Sequence, residues 1–195
     1  MALPLGNDTI DQLFLKARSQ NAWLPEPVSD AQIHRLYELT RQGPTAFNCC
    51  PARFVFIRTP EGKERIKPAL MPNNVAKALS APVLAIVAYD AQWFDSLPKL
   101  FPMDVAGMFR TNESLAHTTA MRNGSFQGAY LMLAARALGL DCGPMSGFNN
   151  EALDKAFFTD GQWKSNFICA IGHGDPSALR PVGPRLDFDA ACQLA

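Results

Sequence analysis

SFQGAYLMLAARALGLD, residues 125–141, constrains the fold more than any other stretch of the chain. Phe126, Ala129, Tyr130, Leu133, Ala134, Ala137 and Leu138 recur at the i, i+3, i+4 spacing of one helix face, and Gly139 supplies the stop. The positions between them are largely apolar too. A helix apolar all round has no face to give to water, so the pattern predicts burial, with a dimer interface as one source of cover.

Such a helix needs partners. APVLAIVAY, residues 81–89, reads as a buried strand; its nine residues fall far short of the ~20 that cross a bilayer as helix. RFVFIR is a second strand, and Thr59-Pro60 after it opens a helix. Toward the N-terminus, NDTIDQLFLKARSQ has Ile10, Leu13, Phe14 and Ala17 at helical spacing, with acids early and bases late. SDAQIHRLYELTRQG begins on a capping box, Ser29 to Gln32, carries Ile33, Leu36, Tyr37 and Thr40 as its inner stripe, and stops at Gly43. After the long helix come a tight CGPMSGF, a short helix from Asn150, a strand NFICAIG and a proline-rich tail. Helices and strands alternate without βαβ spacing, which predicts an α+β or irregular α/β fold. With no repeat or linker, the 195 residues read as one domain, long enough to bury roughly 70% of its unfolded surface.

Charge narrows the partners. Eighteen basic residues balance 18 acidic ones and the pI is near 6.8, which argues against nucleic acid or an anionic membrane. Only 18% of residues are charged, so part of the surface is expected to be covered by another subunit. MALPLGNDTIDQ lacks the basic and continuous apolar regions of a secretory signal, and five cysteines without paired spacing suit a reducing cytoplasm.

Chemistry-bearing motifs are sparse. In PTAFNCCPAR, residues 44–53, Cys49 and Cys50 lack metal spacing; His34, His117 and His173 lie far off in sequence, and a bridge between neighbouring cysteines is strained. Both read as bystanders. Gly172-His173-Gly174 is half a dinucleotide fingerprint, but Ser177 replaces its third glycine and too little chain follows for a βαβ unit. PEGKER lacks the frame of a phosphate loop, and GPMSGF has Pro144 where a nucleophile elbow needs glycine. What remains is dispersed: Arg18-Ser19, Pro44 to Asn48, Asn74 with Lys77, Asn123, Pro144 to Gly147, and Arg185. Singly, each has an ordinary structural explanation as a helix end, a cap or a surface residue.

Taken in order, ARSQNAW, GPTAFNCCPARF, ALGLD with GPMSGF, and the late GPRL give a chain that resembles the FMN-dependent nitroreductase family over about residues 8 to 190. The match is closest to its HadB/RutE subgroup, which includes the malonic semialdehyde reductase of pyrimidine degradation. There ARSxNxW, GPTSANCSPAR, RTxEGKE, GAYL, ALGLDxGPMSGF and KSNF recur nearly verbatim. The resemblance implies a central, mostly antiparallel sheet flanked by helices in an intertwined homodimer, with FMN sites shared between subunits. It assigns Arg18 and Arg185 to the FMN phosphate, a role that suits forked guanidinium groups, with the Ser19 hydroxyl beside them. Asn21 stands where relatives often carry a base. Pro44, Thr45, Ala46 and Asn48 are expected to reach the flavin from the partner chain. Asn74 and Lys77 are expected at the pyrimidine edge, where reduction builds negative charge. Asn123 is expected at the ribityl or ring edge, and Pro144, Met145, Ser146 and Gly147 against the ring. Ser146 replaces a frequent Glu, and Cys50-Pro51-Ala52 replaces Gln-Pro-Trp. The implied activity is ping-pong hydride transfer from NADH or NADPH through FMN N5 to a small-molecule acceptor, malonic semialdehyde giving 3-hydroxypropanoate. A broad nitro or quinone reductase and a flavin-holding protein without turnover are the alternatives.

Overall fold

The computed structural model describes residues 3–195. In chain order its elements are α1 (Asn7–Ile10), which widens into a π turn over Asp11–Leu15, α2 (Asp30–Thr40), β1 (Ala52–Ile57), α3 (Pro60–Ile66), α4 (Pro72–Ser80) and β2 (Val83–Asp90). There follow α5 (Leu97–Leu100), α6 (Ala106–Arg110), α7 (Glu113–Ala137), β3 (Asp141–Met145), α8 (Asn150–Phe157), β4 (Trp163–Gly172) and α9 (Phe188–Ala191). The strands form one sheet in the order β1-β2-β4-β3, and every pair is antiparallel.

All eight residues of β2 are buried, which explains their near-continuous apolar run. Leu84, Ile86 and Ala88 point into a cluster with Met145, Leu153 and Ile168, under α3, α4 and α8. Val83, Ala85 and Val87 point the other way, into a cluster with Leu36, Leu131 and Ala135 beneath α2 and α7. Each buried Leu or Ile contributes about 1.5–3 kcal/mol by leaving water, so a strand covered on both faces is the anchor of the sheet. A third cluster, with Trp93, Leu97, Phe109 and Ala120, fills the end of β2 against the first half of α7.

Local signals act where expected. Ser29 and Gln32 exchange both bonds of a capping box, and the Thr59 side chain caps α3 with Pro60 in its first turn. Gly139 follows α7 at φ 76°, a left-handed conformation that glycine adopts without strain. Three differences have physical causes. The long helix begins at Glu113, well before Ser125, because the Asn112 side chain accepts from the Leu115 N–H (3.0 Å) and caps a polar first half that lacks an apolar stripe. The stretch expected as a tight turn is strand β3 over Asp141–Met145; it lies at the sheet edge, where Gly143 and Pro144 are tolerated. The helix is also not covered all round in the single chain: Phe126 is 50% exposed and Tyr130 38%, and Tyr37 of the expected α2 inner stripe is 47% exposed. Among the described residues no helix is long and apolar enough to cross a membrane.

Candidate functional site

Most of the dispersed residues fall into two groups. The first runs along β3. The N-terminal helical segment stops at Leu15, short of the expected run to Gln20, because Ser19 leaves it to form a parallel bridge with Cys142, fixed by the Gln20 N–H donating to the Cys142 carbonyl at 2.9 Å; Arg18 lies in the link between them. Asn21 turns its amide back to the Ser19 carbonyl at 3.4 Å. Four residues along the strand from Cys142 lies Ser146, a span of about 13 Å at ~3.3 Å per residue. There the Gly147 carbonyl accepts from Asn74 Nδ2 at 2.9 Å and from the Met71 N–H at 3.1 Å, so the start of α4 is tied to the turn after β3. Met145 is buried beneath this turn, Pro144 and Gly147 are half-buried, and Ser146 is exposed. Trp23 bridges the two ends, its Nε1 donating to the Lys77 carbonyl at 3.3 Å.

Electrostatically this group is positive and under-partnered. The Lys77 ammonium makes no hydrogen bond or ion pair among the described residues, and partial burial depresses its pKa. Arg18 spends Nη1 on the carbonyls of Leu15 (3.0 Å) and Ala17 (2.9 Å) and is half-buried. Its remaining donors carry no bond among the described residues.

The second group is the loop from Pro44 to Asn48 with Asn123 on α7. Asn123 and Gln127, one helical turn apart and both buried, present amide oxygens that take the Ala46 N–H and the Ala52 N–H, each at 2.9 Å. Asn123 Nδ2 donates to the Thr119 carbonyl, so that side chain is fully engaged and acts on the site through the loop. Thr45 Oγ1 accepts from the Cys50 N–H at 3.1 Å, and Asn48 Nδ2 donates to the Leu100 carbonyl at 3.1 Å. Arg53 donates to the Cys50 carbonyl (3.1 Å) and pairs with Asp90 (2.8 Å), whose carboxylate also takes the Gln92 N–H and the Gln162 amide. The loop therefore holds Phe47, Asn48 and Cys50 at φ 53°, 50° and 40°, a costly conformation for side-chain-bearing residues. Cys49 is buried, and desolvation raises its thiol to about 11; among the described residues no cluster of metal-ligating side chains surrounds it.

No hydrogen bond among the described residues joins the two groups. Arg185 joins neither: its Nη1 donates only to the neighbouring Gly183 and Pro184 carbonyls, in a tail exposed from residue 181 onward. The loop anchors Gln127, Arg53 and Asp90 escape a reading of sequence, because their work depends on which strand ends face α7. The one signal for Gln127 was its polar side chain within an apolar helix.

The sequence profile of the nitroreductase family matches residues 15–173. A relative from Cupriavidus pinatubonensis, named for NADH dehydrogenase/NAD(P)H nitroreductase activity, is 55% identical over 97% of this chain and 98% of its own. The chain belongs to the nitroreductase family. A similarly named relative from Ralstonia pickettii, HadB, is 54% identical over 94% of this chain and 95% of its own. Among solved structures, a nitroreductase of Bacillus subtilis superimposes with a TM-score of 0.86 at 24% identity, covering 97% of this chain and 100% of its own. A nitroreductase from Exiguobacterium sibiricum in complex with FMN gives 0.84 at 20% identity, covering both chains fully. At these identities the two structures establish the fold, an α+β nitroreductase-like sheet flanked by helices.

Proposed function

We propose that this nitroreductase-family chain is an FMN-dependent NAD(P)H oxidoreductase that works as a homodimer and reduces malonic semialdehyde to 3-hydroxypropanoate. The observation that carries the reading is the β3 group: a half-buried Lys77 ammonium with no hydrogen bond or ion pair among the described residues, and an Arg18 guanidinium with donors to spare beside Ser19 and Cys142. An isolated cation gains most from an anionic ligand, and the ~13 Å span along β3 suits a ligand with a phosphate at one end and a flat, electron-accepting ring at the other. FMN meets both requirements.

In this reading Arg18 and Ser19 bind the phosphate, joined by Arg185 from the tail. Lys77 and Asn74 stand at the ring edge, where an ammonium offsets the negative charge that reduction adds. The turn at Met145–Gly147 presents backbone to the ring, while Met145 and Trp23 limit water beneath it. The Pro44–Asn48 loop covers the opposite side from the partner chain, which explains why one chain keeps the two groups unlinked. Bound FMN supplies two-electron transfer between NAD(P)H and the acceptor. Overall, aldehyde, NAD(P)H and a proton give alcohol and NAD(P)+. The names of the Cupriavidus and Ralstonia relatives favour a second reading, reduction of nitro compounds or quinones at the same site.

Purification without added cofactor tests the class. The expected product is yellow, bleached by NADH or NADPH without oxygen and recoloured by malonic semialdehyde. Colour restored by nitrofurazone alone moves the acceptor to the second reading. A colour that NAD(P)H does not bleach refutes both enzyme readings and leaves a flavin-holding protein.

A further inference from the structure

A cavity of about 340 Å3 lies between the Pro44–Phe47 loop and the outward face of α7. Its walls are apolar: Phe47, Met108, Phe109, Leu115 and Phe126 line it. Arg122 is its one charged lining residue; it is exposed in the single chain, and among the described residues this guanidinium has no ion pair and no hydrogen bond. The positions are regular. Leu115, Thr119, Arg122 and Phe126 recur on one helix face, so the Thr119 hydroxyl and the Arg122 fork sit a turn apart above the same cavity. The next residue, Asn123, is the one that pins the loop through the Ala46 N–H. The cavity wall is thus built in advance by buried amide bonds.

We propose that Arg122 is the residue that anchors the carboxylate of the acceptor and so sets the preference for acids over neutral acceptors. The inference rests on the flavin reading above, which puts the 44–48 loop at the ring. A guanidinium presents parallel donors that match both oxygens of a carboxylate, and the apolar side chains beside it suit the short carbon chain of such an acid. Near the small end of the roughly 300–1,000 Å3 range of ligand sites, the cavity has room for a three- or four-carbon acid.

The test compares wild type with Arg122→Gln and Arg122→Lys, each first shown to keep flavin content and circular dichroism. Specificity constants are measured for malonic semialdehyde and for benzoquinone, a neutral acceptor. The expected result is a semialdehyde-to-benzoquinone ratio lowered about 10- to 100-fold in the Gln variant, as for a lost charged hydrogen bond, with an intermediate loss for Lys. Propanoate should inhibit benzoquinone reduction in wild type and lose at least about tenfold in potency in Arg122→Gln. A ratio and an inhibition constant within about twofold of wild type overturn the proposal. So does a defect confined to flavin reduction by NAD(P)H, which assigns the cation to the nucleotide phosphates. If wild type ignores the semialdehyde, the acceptor named under the parent reading fails, and propanoate decides separately: inhibition that depends on Arg122 upholds the carboxylate site, and inhibition that does not removes it.

Discussion

Lys77 and Cys49 show how burial acts on single residues with opposite consequences for pH. Burial lowers the Lys77 pKa from 10.5, so its charged form costs stability in the free protein. That cost is present below the folded pKa and is relieved as pH rises through it toward 10.5. Lys77→Met is expected to raise the melting temperature of the FMN-free protein at pH 7 and to weaken FMN binding; differential scanning fluorimetry and flavin titration check both. A variant that melts lower without FMN argues against an unpartnered cation. Cys49 behaves in reverse. Burial raises its thiol from 9.0 to about 11, so the unfolded chain deprotonates first, and stability present below pH 9.0 is lost between there and about 11. Cys49→Ala is expected to flatten that alkaline fall in urea titrations, and the native thiol to resist iodoacetamide at pH 8 while the exposed Cys192 reacts. The loop around the neighbouring cysteines is held by Asn123, Gln127 and Arg53.

Among the elements, α7 does the most. It packs on all four strands and α2, supplies the two amides that fix the 44–52 loop, and shows Phe126 and Arg122 on its outer side. Gln127→Ala strips the buried Ala52 N–H of its acceptor, an expected loss of about 1–3 kcal/mol in urea unfolding with lower flavin retention. Loss of stability with full flavin retention would separate the loop from the cofactor. Next to it, a Cβ at Gly128 would lie 2.5 Å from the Phe167 ring, so the helix approaches the sheet there as only glycine allows. The C-terminal half of α7 was legible because its apolar period is dense; the N-terminal half was not, because a cap and tertiary contacts hold a polar segment helical. The strands β1, β2 and β4 were legible from β-branched and aromatic runs. β3 was not, since CGP reads locally as a turn and only pairing with β4 makes it a strand.

For the whole molecule, the tail is the informative segment. Residues 181–195 are exposed throughout, with Leu186 at 76% and Phe188 at 57%, and no hydrogen bond among the described residues ties them to the body. The core does not need them, whereas the proposed dimer, with Arg185 at the phosphate, would. A chain ending at Leu179 is expected to keep its circular dichroism but to sediment as a monomer without flavin. A truncated dimer with stoichiometric FMN would remove the tail from both roles. The candidate site residues were legible only as scattered motifs matched to a family, because they fall into two groups that no hydrogen bond joins among the described residues. That separation has a genetic consequence. If the proposed dimer shares its sites, Arg18→Ala spoils the β3 group and Asn123→Ala spoils the loop group, so each homodimer has two defective sites. In a mixed dimer one site gathers both defects and the other gathers none. Coexpressed at equal levels and pairing at random, two inactive alleles should restore about a quarter of wild-type activity, whereas two alleles altered in the same group should restore nothing.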